Sequence, residues 1–275
     1  MDRRIIFSDN GTLTDYSSNL ESYTSGEMSF TITASQSDAI YIGSTLPFNH
    51  IYIKASTTSA AVSEVSVYHW DSDEFKEMVD VIDETKISGA TLAQSGFITW
   101  VPNKDNGYSM EDTDDIAELS DITIYDRYWT KLTFSADMTA AISWAGNLFS
   151  DDDDLKSEFN ALLDTDLMDA IETGKTNYQE EAKVAADTII KDLVNQQVIN
   201  DSNQLLNRSD LRLASVQKVA EIIYRKMEGD YEAERSLADL DYTKKLKRAF
   251  PVVDKNKDGR ETPRERIPRH GSVHR

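Results

Sequence analysis

The chain has 275 residues, room for two ordinary domains of roughly 100–150 residues each, and a 39% hydrophobic fraction that can furnish a core, so global disorder is excluded. Its 49 acidic and 29 basic residues give a net charge of −20, a field that repels nucleic acid except where positive charge is concentrated; residues 244–275 hold 11 Lys/Arg against 4 Asp/Glu, leaving 18 against 45, or −27, for residues 1–243. With no cysteine there is no disulfide, thiolate metal site or thiol nucleophile; no run of about 18 apolar residues offers a membrane span, and Ile5, Ile6 and Phe7 after Arg3 and Arg4 are too few for a secretory signal core of about 7–15 residues.

From residue 27 to 135 the chain reads as short runs rich in β-branched and aromatic residues, at 28–33, 39–42, 50–53, 64–70, 96–101 and 128–134. Period-two alternation places Val65, Val67 and His69 on one face and Ser66, Tyr68 and Trp70 on the other. Turn residues separate the runs at 46–49, 71–73, 88–89 and 102–107. Many short strands at this spacing predict an antiparallel β-sandwich or jelly-roll-like domain over residues 1–150.

Four carboxylates, Asp151 to Asp154, precede a change of period and mark a boundary. Leu155, Phe159, Leu162 and Leu163 have helical spacing, and the carboxylates would sit at the N-terminus, where the dipole favours negative charge. Residues 178–198 and 210–227 repeat the pattern at greater length. The second, capped from 207–210, aligns Leu213, Val216, Ala220, Ile223 and Met227 on one face and ends at Gly229. A last helix over 233–250 is stopped by Pro251. The expected class is α+β with two domains: a β domain over 1–150, an all-α helical bundle over 151–250, and an Asp-rich turn with an extended basic arm over 251–275.

The sharpest local pattern runs from Asp254 to Glu265. Asp254, Asn256, Asp258, Gly259 and Glu265 fit the twelve-residue calcium-loop template, in which short oxygen side chains converge on a hard cation and the glycine supplies a sharp turn. Glu261 stands where that loop usually has an apolar residue, Pro263 sits inside it, and no second copy exists to pair with it. Bound Ca2+ at 254–265 and a turn that binds no metal are both compatible with the pattern, and no cofactor is required. Glu172 to Thr176 imitates the end of a phosphate-binding loop, but Asp169 stands where the first glycine belongs. His50, His69, His270 and His274 share no ligand spacing, and no catalytic constellation is visible, so a non-enzymatic protein is expected. Trp70, Trp100, Trp129 and Trp144, with Tyr68, Tyr108, Tyr125 and Tyr128, suit core or interface anchors better than a sugar-stacking surface. Arg260, Arg264, Arg266, Arg269 and Arg275, interspersed with Pro263, Pro268 and Gly271, form a segment too poor in apolar surface to fold alone. It is expected to order on a partner, an acidic neighbouring subunit before DNA.

From about Phe159 to Arg269 the order of features resembles the head-to-tail connector (adaptor or neck) proteins of tailed bacteriophages. The likeness rests on a small bundle beginning at 178–187, a segment at 205–210, a helix at 214–227, a charged helix at 231–250, the Asp-rich turn at 254–259 and the Arg-rich extension. The resemblance implies a structural virion protein, made in the host cytoplasm and placed in the neck at the portal vertex. There it would form a ring, commonly of twelve copies, beneath the portal protein and beside other neck and tail proteins. The C-terminal extension would reach into the portal or an adjacent subunit, and genomic DNA would pass the acidic channel without sequence-specific contact. Residues 1–150 lie outside the connector pattern and would be a peripheral decorating domain. The stretch 38–50 looks like the β-sandwiches of carbohydrate-binding and discoidin-like modules. The competing expectation is an adhesin-like glycan- or protein-binding module that its helices oligomerise.

Overall fold

The computed structural model describes residues 3–101, 107–227, 229, 231–249, 251–257 and 259. They group into two compact units: the described residues of Met1–Asn147 with those of Asp254–Arg260, and those of Leu148–Val253. The class is mixed α+β, with two antiparallel sheets and five α-helices among the described residues.

In the first unit the strands are β1 (Arg4–Asp9), β2 (Thr12–Asp15), β3 (Met28–Ile32), β4 (Ala39–Ser44), β5 (His50–Thr57), β6 (Val65–Asp71), β7 (Glu74–Glu77), β8 (Val79–Asp83), β9 (Gly96–Val101), β10 (Met110–Glu111), β11 (Arg127–Phe134) and β12 (Met138–Gly146). One sheet runs β2-β1-β4-β11-β6-β7, with β10 also on β11; the other runs β3-β12-β5-β9-β8. The six sequence runs all become strands. Alternation decides their faces: Ile5, Ile40, Ile42, Val65, Val67 and Leu132 of one sheet share a core with Phe30, Ile51, Ile98 and Ile142 of the other.

The first sheet also buries its opposite face. Ile6, Tyr41, Trp70 and Trp129 lie there with Ile116 and Leu119 from the segment between β10 and β11. That segment is held by Thr113, whose N–H donates to Ile124 O at 3.0 Å and whose hydroxyl accepts from Ile124 N at 2.9 Å. Lys131 Nζ donates to Glu118 Oε2 at 2.6 Å, and the Tyr41 hydroxyl donates to the same carboxylate. Covered on both sides, β4 is buried at every position. Its Gly43 passes under the Trp129 indole, where a Cβ would stand 2.8 Å from Cζ3, so only glycine fits without displacing the ring.

In the second unit the helices are α1 (Asp152–Phe159), α2 (Thr165–Ile171), α3 (Gln179–Asn195), α4 (Ser209–Lys226) and α5 (Glu232–Arg248). The acidic run starts α1 as a capping box, with Asp151 Oδ1 accepting from Asp154 N at 3.0 Å and Asp154 Oδ2 from Asp151 N at 3.3 Å. Asp154 also holds Arg208 and Arg212 of the α4 start at 3.0 and 3.1 Å. The expected single apolar face of α4 is corrected. Val216, Ala220 and Ile223 are buried, but so are Leu211, Ala214, Ser215, Val219 and Ile222, while Leu213 and Met227 are only half-buried. With α1, α3 and α5 packed against it, α4 is the central helix of this unit and is buried nearly all round. The chain leaves the unit through Val252 and Val253, both buried, with Leu206 N donating to Val252 O at 3.2 Å.

Candidate functional site

Asp254, at 1% exposure, opens the turn singled out in the sequence. Its Oδ1 accepts from Lys257 N at 2.6 Å and its Oδ2 from Gly259 N at 3.1 Å. Lys257 and Gly259 both take left-handed backbone conformations, at φ 62 and 70. Gly259 lies against Tyr108 and Pro47, since a Cβ there would come 2.6 Å from Tyr108 Cε2 and 2.9 Å from Pro47 Cβ. Beneath the turn, the Tyr108 hydroxyl donates to Phe48 O at 2.6 Å and accepts from Trp100 Nε1 at 3.0 Å, and the His69 ring lies 4.7 Å from the Tyr108 ring. Burial, with the Asp254 charge adding to it, raises the Tyr108 and Tyr128 phenols above their ordinary range.

Arg3 sits in the same unit, its guanidinium 4.4 Å over the Phe48 ring and its Nη2 donating to Asn147 Oδ1 at 2.6 Å. Burial lowers it to about 10, and its Nη1 has no hydrogen-bond partner among the described residues. Of the calcium-loop residues, Asp254 is thus an internal cap and Asn256 is exposed, whereas Asp258 and Glu265 lie outside the described residues, as do Arg260, Arg264, Arg266, Arg269 and Arg275. Among the described residues no group of three or more His, Asp or Glu side chains is placed to hold a metal ion.

The second unit carries a buried ionic cluster that periodicity did not flag. The Glu181 side chain is fully buried on α3; its Oε1 lies 2.6 Å from Lys226 Nζ and 3.1 Å from Lys175 Nζ, and its Oε2 has no hydrogen-bond partner among the described residues. Burial pushes this carboxyl up, but the hydrogen bond from Lys226 and the charge of Lys175 outweigh it and leave it below its ordinary range. Nearby, Asp152 accepts from Tyr178 N at 3.0 Å. Burial first, then the charges of Glu181 and Asp153, raise it to about 6.

The sign for Asp152 follows from linkage. Its stabilising contribution is complete below the ordinary value of 3.8 and is lost as pH rises through about 6. Replacement Asp152→Asn removes that loss. We expect the variant to exceed the parent by on the order of 2 kcal/mol near pH 8, allowing for partial exposure, with the gap closing near pH 4. Denaturant midpoints at the two pH values check this; an equal difference at both would assign the effect to the Tyr178 bond instead.

No family model, curated protein or solved structure matches the chain. What the side chains do locally therefore carries the functional reading. All four tryptophans are buried, as are Tyr108 and Tyr128, and Tyr68 is half-buried; among the eight aromatics named from the sequence, Tyr125 alone is exposed. These rings are core anchors. The phosphate-loop imitation is a turn between α2 and α3, where Gly174 N donates to Asp169 Oδ1 at 2.7 Å and Lys175 serves Glu181. His50 and His69 are packed within strands, the latter with Nδ1 3.1 Å from Met78 Sδ. A sequence signal for the ionic cluster did exist: Glu181 interrupts the apolar face formed by Tyr178, Ala182 and Ala185.

Proposed function

We propose that the chain is a structural, non-enzymatic subunit of a tailed-phage head-to-tail connector, located in the virion neck. In this reading the first unit is a peripheral β-sandwich domain. The second is a helical bundle that forms the ring beneath the portal and lines the path of the DNA, and the Arg-rich segment docks on the portal or an adjacent subunit. The observation that supports it is the succession of α3, the central α4, the charged α5 and the buried Asp254 turn, the order on which the resemblance rests. Two further features favour it. An acidic body of −27 would let a duplex slide without gripping its phosphates. Exposed apolar side chains, Val184 and Val194 on α3 and Leu237 and Leu240 on α5, are surfaces that neighbouring subunits would cover.

The test is mass photometry of the full chain and of a form truncated after Gly259, each alone and with the cognate portal ring. Truncation at that point spares Val252, Val253 and Asp254, which are buried in their units. A closed ring, or portal binding that the truncation abolishes, is expected. A monomer indifferent to portal in both forms would overturn the connector reading.

A further inference from the structure

Arg3, just ahead of β1, is 3% exposed, so its guanidinium is a full charge held inside the first unit. Burial alone lowers it, to about 10, which leaves it protonated at neutral pH. Its contacts are few. Nη2 donates to Asn147 Oδ1 at 2.6 Å, the Phe48 ring lies 4.4 Å away, and Nη1 has no hydrogen-bond partner among the described residues. Other buried charges are compensated: Glu181 and Glu221 by lysines at 2.6 and 3.1 Å, Asp38 and Asp254 by two backbone N–H donors each. One amide oxygen and an aromatic face do not offset the desolvation of a guanidinium, and an arginine this deep is normally paired with an anion. A second donor lies close to it in the fold. Arg4 pairs with Gly43, so the chain that leaves β4 through Thr45 and runs on to Phe48 passes beside Arg3, and the Thr45 hydroxyl is likewise buried with no partner among the described residues. Because Nη1 is enclosed, its partner must be enclosed with it, which selects a small ion over the side chain of another subunit.

We propose that Arg3 and Thr45 bind a small inorganic anion inside the first unit, with the Arg3 Nη1 and the Thr45 hydroxyl as its donors. The ion supplies the counter-charge that the described residues lack, so its binding is coupled to the stability of this unit. The site goes beyond the connector reading and stands apart from it, because Arg3, Thr45, Phe48 and Asn147 all belong to the first unit.

Urea unfolding of the full chain followed by tryptophan fluorescence reads this unit, because Trp70, Trp100, Trp129 and Trp144 all lie in it. Chloride and inorganic phosphate are titrated separately against sodium gluconate at constant ionic strength, over roughly 0.1–100 mM. At least one of them is expected to stabilise the parent, the folding constant rising about ten-fold for each ten-fold increase in the anion above its dissociation constant. Arg3→Met should lose this dependence. In gluconate alone it should be at least as stable as the parent, since it removes a buried charge that then has no partner. An arginine that serves only to pack on Phe48 and hold Asn147 would give the opposite pattern, a methionine variant weaker at every anion concentration. Thr45→Val should raise the anion's dissociation constant by roughly three-fold or more. Parent stability indifferent to both anions, as a water molecule beside Nη1 would produce, would overturn the proposal. So would an anion dependence that Arg3→Met retains, or a dissociation constant unchanged in Thr45→Val.

Discussion

Replacing Lys175 and Lys226 together by methionine is expected to cost about 3–5 kcal/mol, because it strands the Glu181 carboxylate in the interior without a counter-charge. Both ammonium groups converge on one oxygen, at 3.1 and 2.6 Å, and the second oxygen has no hydrogen bond among the described residues to fall back on. Repulsion from Asp152, whose own carboxyl burial raises to about 6, would deepen the loss above that pH. The control is Glu181→Gln in the same background, which keeps the shape and removes the charge. Most of the lost stability should return, since a buried ion pair exchanged for neutral groups of similar volume is often neutral in effect. Denaturant unfolding of the four combinations reads the coupling directly. If Glu181→Gln restores nothing, the lysines act through their methylene stems, and the charge argument is wrong.

The second large effect is expected at Gly259→Ala. A left-handed residue other than glycine costs on the order of 1 kcal/mol, and the new methyl group would also intrude on the Tyr108 ring and Pro47, adding about 1–3 kcal/mol. Because the turn spans few residues, this loss should appear as local opening rather than as a shift of the whole transition. Amide exchange is the measurement: the Lys257 N–H, now held by Asp254 at 2.6 Å, should lose protection while β4 and β11 amides keep theirs. Unchanged exchange at Lys257 would show that the turn does not depend on the fit of Gly259 against Tyr108.

What could be read without coordinates follows from local physics. Strands β3, β4, β5, β6, β9 and β11 were visible as β-branched and aromatic runs, α3 and α4 as 3.6-residue periods, and α5 as the helix that Pro251 stops. Local sequence also sufficed for the carboxylates that start α1. Strand β12 was missed. Its Met, Ala and Ser residues have weak β preference, and its pairing with β5 shifts register twice, so alternation is broken where it would have been read. Strands β2, β7 and β10, of four, four and two residues, carry too few residues for a period to appear, whereas β1 and β8 are as long as strands that were read and were missed as well.

Composition and chain order by themselves determined the α+β class, the acidic body with its basic end, and the Asp-rich turn. Only the tertiary structure decided which surfaces meet. The second core of Trp70 and Trp129 exists because the segment between β10 and β11 folds over the outer face of a sheet. The all-round burial of α4 exists because other helices pack about it. The depth of Asp254 and Glu181 has the same origin. Burial is a property of residues distant in sequence arriving at one place, whereas periodicity and turn chemistry report only what neighbours along the chain prefer.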